Sequence, residues 1–171
     1  MPGVYVLVAH SEHEAKAQQQ LLDDLVDDEI GLGLLGRMLG NFDLSGVDVN
    51  RSLASLNLTE TQTGQQSRQQ LIQTIAQDQD LSIKQLYQRI AAGRGHFCLI
   101  GTPEYIADQL EAWFVGAAAD GFNIMPAVLA NGIQDFVDLV IPILQQRQLF
   151  RTQYEGCLLY TSPSPRDGLL S

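Results

Sequence analysis

The chain has 171 residues, of which 45% are hydrophobic and 18% charged, as in a globular protein. Its 20 acidic and 10 basic residues give a formal net charge of −10, which argues against nucleic acid and anionic membranes as partners, because phosphate binding needs clustered Lys and Arg. There is no run of ~18 apolar residues, so no transmembrane helix is expected. No basic region precedes the first apolar run, so no signal peptide is expected and a cytoplasmic location is predicted.

The first strand and helix are indicated by an apolar run and a capping pattern. Residues 4–9 are β-branched and apolar, as in a buried strand. Ser11, with Glu14 three residues later, predicts a capping box and a helix over about residues 12–28. The inner side of this helix is predicted at Ala15, Leu21, Leu22, Leu25 and Val26. The acidic residues crowding the predicted helix end oppose the helix dipole and lack EF-hand spacing, so they predict a solvated face rather than a cation site. They are Asp23, Asp24, Asp27, Asp28 and Glu29.

A glycine pattern follows this acidic segment. Gly31, Gly33 and Gly36 fit G-x-G-x-x-G, but the dinucleotide fingerprint needs a strand directly before it and a helix opening after it. An acidic helix end precedes the pattern and no strand follows it, so a mobile connection with some helical character over residues 34–39 is predicted. Residues 41–63 are irregular and polar, and residues 59–67 are the best linker candidate.

The second half has stronger helix and strand signals. A short helix is predicted over residues 69–77, and Ser82 is expected to cap another that stops near Gly93. Residues 96–100 predict a strand, after which Thr102 and Pro103 match the cap and first position of a helix. The inner face of that helix is predicted at Ile106, Leu110, Trp113 and Phe114.

A last strand and helix complete the pattern. Residues 122–125 predict a strand, and the strand–helix–strand order predicts neighbouring parallel strands with a right-handed crossover. A helix over residues 133–148 is expected to kink at Pro142. Its apolar stripe is predicted at Phe136, Val137, Val140, Ile141 and Leu144.

Several motifs of this half resemble one enzyme family. Residues 101–114 (GTPEYIADQLEAWF) and 120–129 (DGFNIMPAVL) resemble the C-terminal part of the bacterial-luciferase-like flavin monooxygenases, more narrowly the nitrilotriacetate and dibenzothiophene-sulfone monooxygenase group. The similarity continues through residues 136–156 and extends weakly back to Pro2. It implies an α/β fold, a partial TIM (β/α)8 barrel containing about the last three strands, six, seven and eight, with their helices and an insertion.

The resemblance also suggests a division of the chain. A complete barrel needs about 250 residues, so residues 1–156 are expected to be the C-terminal part of a barrel, with an insertion at approximately residues 31–80. In the family an insertion of this kind lies beside the active-site mouth, so residues 41–63 are interpreted as a lid or substrate-recognition region, a plain surface excursion being the alternative. Residues 157–171 (CLLYTSPSPRDGLLS) resemble translated sequencing-adapter read-through and are interpreted as a non-native tail.

Candidate site residues follow from the barrel, whose active sites lie at the carboxyl ends of the strands. His10, after the first strand, is a candidate general base or hydrogen-bond donor, or else a solvent-facing side chain. The amides of Gly101 and Thr102 could bind a phosphate at a helix N-terminus, or Thr102 could be a plain cap. Asn123 and Met125 alternate with their strand neighbours, so one of the two alternating pairs faces the barrel interior.

The cofactor and partners are implied by the resemblance alone. It implies reduced FMN and O₂, a separate NAD(P)H:flavin reductase as the source of the reduced FMN, and a small organic substrate containing nitrogen or sulfur. No metal is expected, and a homo-oligomer is left open. The family's main flavin contacts lie on earlier strands, and three strands leave open edges, so this chain alone is expected to be inactive and poorly soluble. The alternatives are an F420-dependent barrel oxidoreductase, which DGFNIMP and PILQQR disfavour, and a non-catalytic α/β interaction domain.

Overall fold

The structure is a computed structural model that describes residues 1–56, 72, 74–76 and 81–153. The strands are β1 (Gly3–Val8), β2 (Phe97–Gly101) and β3 (Asn123–Pro126). The α-helices are α1 (Glu12–Asp24), α2 (Asp28–Met38), α3 (Ile83–Gly93), α4 (Pro103–Val115), α5 (Leu129–Asp135) and α6 (Ile141–Gln146). Leu53–Ser55 form a 3₁₀ turn, and the π-helical segment Phe136–Val140 joins α5 to α6. The predicted linker, most of the helix predicted at residues 69–77 and the tail from residue 157 lie outside the described residues.

The sheet has the order β2-β1-β3, and both of its ladders are parallel. In register, Val4 lies opposite Phe97 on one side and Ile124 on the other. The prediction that β2 and β3 are neighbours is therefore wrong. A physical reason is that β1 is the most deeply buried strand, and the central position lets both of its edges form hydrogen bonds. The connection through α4 is long enough to pass over one strand, so β2 and β3 need not be neighbours.

Helices cover both faces of this sheet. One face of β1 carries Val4, Val6 and Val8. This face packs against α4 and against the C-terminal helix, which consists of α5, the π-helical segment and α6, and Leu99 of β2 belongs to the same core. Leu7 and Ala9 point to the opposite side, where they pack with Ala15 of α1. The buried members of the larger core are Val4, Val6, Val8, Leu99, Ile106, Ala107, Leu110, Phe136, Val140 and Leu144.

Helix α4 confirms the capping prediction. The Thr102 Oγ1 accepts a hydrogen bond from the Tyr105 N–H at 3.3 Å, and Pro103 occupies the first turn, where its missing N–H costs nothing. On the inner face Ile106 and Leu110 are buried, and the ring of Trp113 stacks on Phe97 with centroids 4.5 Å apart. Phe114 is exposed, so its predicted place on that face is wrong. It lies at the end of the helix, next to the last residue.

The acidic segment divides between two helices. Helix α1 ends at Asp24, four residues before the predicted end, because Asp27 caps a new helix by accepting hydrogen bonds from the N–H groups of Glu29 (2.9 Å) and Ile30 (3.3 Å). Asp28 and Glu29 therefore lie in the first turn of α2, where the helix dipole favours them. Among the described residues, no group of acidic, His and Cys side chains is arranged to hold a metal ion.

The glycine pattern lies inside α2, so the predicted mobile connection is wrong. A Cβ built on Gly31 would lie 2.4 Å from the Tyr87 ring of α3, and one on Gly36 would lie 2.3 Å from the Phe42 carbonyl oxygen. These two glycines allow close approach at positions where any side chain would collide. The element directly before them is helix α1 and not a strand, which agrees with rejecting a dinucleotide loop.

A second apolar core surrounds this helix pair. It joins α2 and α3 to the irregular segment after α2, whose Leu44 and Leu53 are buried. The segment is therefore packed through part of its length, and the expected start of the insertion at residue 31 falls within a helix. The buried members of this core are Leu35, Leu39, Leu44, Leu53, Ile72, Ala76, Ile83, Leu86, Tyr87 and Ile90.

The C-terminal helix begins four residues before the prediction and changes its hydrogen-bond pattern midway. A π-helical turn, Phe136–Val140, lies just before Pro142, and the kink expected at this proline stays a prediction. Because proline cannot donate the intrahelical bond, a π-turn at this place is the expected accommodation. Val137 is exposed, so its predicted place in the apolar stripe of this helix is wrong.

Candidate functional site

The carboxyl ends of all three strands meet at one edge of the sheet because the strands are parallel. The Ala9 N–H donates to the Gly101 carbonyl oxygen at 3.0 Å, which holds the segment after β1 beside the end of β2. On the other side the Ala127 N–H donates to the Val6 carbonyl oxygen at 2.9 Å. The structure therefore brings His10, Gly101 and Thr102 to the same edge, as predicted for a barrel active site.

His10 is exposed at this edge. Its backbone N–H donates to Glu14 Oε2 at 3.1 Å, and the Ser11 Oγ accepts from the Glu14 N–H at 3.1 Å. The predicted cap is thus present, but the Glu14 carboxylate bonds to the N–H of His10 rather than of Ser11. Within the described part of the chain, no residue forms a hydrogen bond with the imidazole.

The phosphate site proposed at Gly101 and Thr102 stays a prediction, and the structure shows what surrounds it. The Thr102 hydroxyl already caps α4, and the ring of Tyr105 lies 2.8 Å from the place where a Cβ of Gly101 would be. Glu104 places a carboxylate in the first turn of α4, where it opposes a second anion. The geometry therefore favours the alternative reading of Thr102 as a helix cap.

The two candidates on β3 are separated from this edge. Asn123 lies at the amino end of the strand, where its backbone N–H donates to the Pro2 carbonyl oxygen at 2.9 Å. Met125 is the register partner of Tyr5, so it lies on the α1 face of the sheet. Phe122 and Ile124 pack against the core on the α4 side. The sequence left open which pair faces which side, because alternation alone does not orient a strand.

A groove that the sequence did not reveal lies beside β1. Pairing with β3 ends at Val6, and beyond it a groove of about 340 Å³ opens between α1 and α5. Leu21 of α1 and Leu25, the residue that follows this helix as its C-cap, are 68% and 80% exposed, so their predicted inner position is wrong. The β1 groove is lined by Val6, Leu7, Val8, Gln18, Leu21, Leu22, Ala127, Val128, Asn131, Gly132 and Asp135.

Polar groups beneath the sheet form a chain along α1. The Tyr5 hydroxyl donates to Gln19 Oε1 at 2.9 Å, and Gln19 Nε2 donates to Asp23 Oδ1 at 2.7 Å. Burial raises the pKa of Asp23 and, together with the Asp23 charge, the pKa of Tyr5. Burial also raises the pKa of the Cys98 thiol, which makes it a poor thiolate nucleophile. This arrangement is a packing network rather than an acid–base pair.

Comparison with known proteins gives consistent matches over most of the chain. It is 45% identical over 159 residues to nitrilotriacetate monooxygenase component A of Aminobacter aminovorans, covering 93% of this chain and 35% of that protein. It is 42% identical over 159 residues to N-acetyl-S-(2-succino)cysteine monooxygenase of Bacillus subtilis, covering 93% and 36%. The solved structure of DmoA from Hyphomicrobium sulfonivorans has the same fold, with a TM-score of 0.69 at 24% identity over 90% of this chain and 31% of that one. No protein-family model matches the chain.

The parallel strands with their helices are part of a (β/α)8 barrel, the fold of the solved neighbours. Over 93% of its length the chain is similar to monooxygenases of the luciferase-like family, which confirms the resemblance seen in residues 101–114 and 120–129. It spans about 35% of the length of the curated relatives it matches. Within its described residues, no helix is both long and apolar enough to cross a membrane.

Proposed function

We propose that the full-length protein containing this chain is a two-component monooxygenase that uses reduced FMN and O₂ to oxygenate a small organic compound containing nitrogen or sulfur. The observation that carries this proposal is the 45% identity to nitrilotriacetate monooxygenase component A across 93% of the chain. The word "component" in that relative's name supports a separate NAD(P)H:flavin reductase as partner. Flavins themselves supply the oxygen chemistry, which accounts for finding neither a catalytic dyad nor a set of metal ligands among the residues that the structure describes.

Within its described residues this chain contributes the carboxyl-edge segments of three strands, and we propose that the flavin phosphate binds elsewhere in the full-length protein. The surroundings of Gly101 and Thr102 support placing the flavin contacts on the portion of the full-length protein that this chain does not span. A flavin titration of the chain and of the full-length protein under reducing conditions tests this placement. Binding of reduced FMN by the full-length protein alone is the expected result. Tight binding by the chain alone would contradict it.

The activity is tested with the full-length protein, NADH, FMN and a flavin reductase. Nitrilotriacetate and N-acetyl-S-(2-succino)cysteine are the first compounds to supply, because the relatives at 45% and 42% identity are named for them. Oxygenated product that depends on both the reductase and the compound is expected. NADH oxidation yielding only hydrogen peroxide with every nitrogen or sulfur compound tried would contradict the proposed reaction.

His10 is the described side chain that we propose to face the substrate. It is exposed at the carboxyl edge and no described residue holds its imidazole. His10→Asn in the full-length protein should lower kcat/KM for the accepted substrate at least several-fold, because a positioned hydrogen-bonding group is lost. His13→Asn is the matched control, since His13 is an exposed histidine on the same helix start. Equal kcat/KM for the two variants would indicate that His10 faces solvent and does not contact the substrate.

A further inference from the structure

Helix α5 presents its apolar side chains to solvent and its polar ones to the β1 groove. Leu129 and Ile133 lie four residues apart on one helical face and are 83% and 40% exposed. Asn131 and Asp135 line the groove instead, and within the described residues no hydrogen bond or ion pair holds either side chain. A helix on a protein surface ordinarily has the opposite orientation. The apolar side of α5 is therefore turned away from the apolar wall that α1 provides.

The π-helical turn between α5 and α6 sets this orientation. The Ile141 N–H donates to the Phe136 carbonyl oxygen, five residues back, where an α-helix uses the residue four back. The turn therefore holds one residue more than an α-helical turn. One additional residue rotates the side chains of α5 by about 100° relative to those of α6, because successive residues of a helix are that far apart.

An α-helical course through the same segment would change the side of α5 that faces the groove. Each residue of α5 would then take the place of the residue before it. Leu129 would take the groove-facing place of Val128, and Ile133 that of Gly132. Asp135 would leave the groove for an exposed place. This one-residue change of register thus exchanges a polar lining for an apolar one.

The space around α5 permits this rotation. No residue of α5 is buried, so turning the helix breaks no core packing of its own. A Cβ at the place of Gly132 would lie 3.3 Å from the Pro126 Cβ, and a shift of a few tenths of an ångström admits Ile133 there. The link between β3 and α5 gains one residue of slack, so the chain is not stretched.

Helix α6 is the fixed end of the segment, and Pro142 is the residue that favours the π-turn. Leu144 is buried, and Arg147 forms ion pairs at 2.7 Å with Asp108 and with Glu111, which hold α6 on α4. In a regular α-helix the proline ring would collide with the carbonyl group four residues earlier. The π-turn, which ends just before Pro142, relieves this conflict.

We propose that α5 is a two-position cover for the β1 groove, open in the π-helical register and closed in the α-helical one. Closing packs Leu129 and Ile133 against Leu21 and Leu22 of α1 and fills the groove of about 340 Å³. Burial of apolar surface favours the closed position, and the conflict at Pro142 opposes it. Because the two effects have opposite signs, a substitution at this proline shifts the populations. The inference does not depend on the proposed function.

Thiol labelling in the full-length protein, with mass spectrometry to locate each label, distinguishes the two registers. Leu129→Cys lies on the side that closing buries, and Asp135→Cys on the side that closing exposes. Pro142→Ala should slow labelling of the first several-fold and speed labelling of the second, and it removes no core contact because Pro142 is exposed. Val115→Cys is the control, since Val115 is 71% exposed on α4 and should label at one rate. The native Cys98, half-buried on β2, should stay as slow as before if the sheet is intact.

A second set of variants asks whether the groove supplies the driving force. Leu129→Ser should cancel the effect of Pro142→Ala on Asp135→Cys, because a serine gains little from facing the groove. Gln134→Ser is the matched control, since residue 134 faces solvent in both registers and the effect should persist. With Pro142 retained, Leu129→Ser should also slow labelling of Asp135→Cys, which decides the question even if Pro142→Ala fails to fold.

Three outcomes would overturn the inference. One is labelling of both reporters that does not respond to Pro142→Ala. Another is a change of the same sign at Leu129→Cys and Asp135→Cys, which indicates fraying of α5 rather than rotation. The third is a Pro142→Ala effect that survives Leu129→Ser, because burial in the groove would then not drive the change of register.

Discussion

Single residues decide how closely α2 and α3 approach each other. Gly31 lies against the ring of Tyr87, which is fully buried and donates a 2.5 Å hydrogen bond to Asp28 Oδ1. Gly33, two residues along the same helix, faces open space. The sequence showed the glycine spacing, but it could not show which glycine faces a neighbour, because that depends on a contact with a residue far along the chain. The caps Ser11, Ser82 and Thr102 were predictable because each depends on residues within one turn.

The two glycines give matched substitutions with opposite expected signs. Gly31→Ala should lower the free energy of unfolding by about 1–3 kcal/mol, because its Cβ would collide with a buried ring that cannot move aside cheaply. Gly33→Ala should raise it by up to about 1 kcal/mol, because alanine favours helix and meets nothing. Urea unfolding of both variants measures these changes. Equal effects at the two positions would refute the packing role of Gly31.

Tyr87 should make stability sensitive to alkaline pH. Its burial, and the Asp28 carboxylate that accepts its hydrogen bond, raise its pKa above the ordinary value of 10.0. Since the folded-state pKa is the higher one, this contribution to stability is complete below about pH 10 and is lost as pH rises above that value. Tyr87→Phe should therefore cost about 1 kcal/mol at neutral pH and weaken the alkaline fall.

Urea midpoints from about pH 8 to about pH 11 test this prediction on Tyr87→Phe and the unmodified protein. Tyr105→Phe is the control, because Tyr105 is partly exposed on α4. Unchanged pH dependence in Tyr87→Phe, or the same change in both variants, would contradict it.

At the scale of elements, sequence predicted which segments form helices and strands better than where they end. The boundary between α1 and α2 was missed because the Asp27 cap ends one apolar pattern and starts the next without a proline or a glycine turn. The elements β2, α4 and β3 were each predicted, but the prediction that the two strands are neighbours was wrong. Pairing depends on which other strand edges are available, and a short motif does not contain that information.

Helix α4 offers a test that separates a structural cap from a ligand site. Thr102→Ala removes the hydroxyl that accepts from the Tyr105 N–H and should cost about 1 kcal/mol of unfolding free energy. Thr102→Ser retains the hydroxyl and should cost much less. Neither change should alter the affinity of the full-length protein for reduced FMN, measured by fluorescence titration. Weaker flavin binding by Thr102→Ala, with stability unchanged, would instead place Thr102 at the flavin.

At the scale of the whole molecule, the family and the α/β class could be predicted because several separated motifs occur in one order along the chain. The site could be predicted only as an edge, since His10, Gly101 and Thr102 meet there for a topological reason. The β1 groove could not be predicted, because apolar residues at helical spacing look the same whether they face a core within the chain or a surface that another segment covers. Leu21 and Leu25 were for this reason assigned to an inner side that the structure leaves exposed.

The exposed leucines therefore give opposite expectations in the two molecular contexts. In this chain, Leu25→Ser should raise the soluble yield on expression, because a side chain that is 80% exposed contributes little to folding and favours association. In the full-length protein, burial of this leucine by another segment would make the same change lower the free energy of unfolding by about 1–3 kcal/mol. Ile30→Ser is the control, since Ile30 is 68% exposed on α2, outside the groove lining. Its effect on unfolding should stay small in both contexts, and an equally small effect of Leu25→Ser in the full-length protein would show that nothing covers this face of α1.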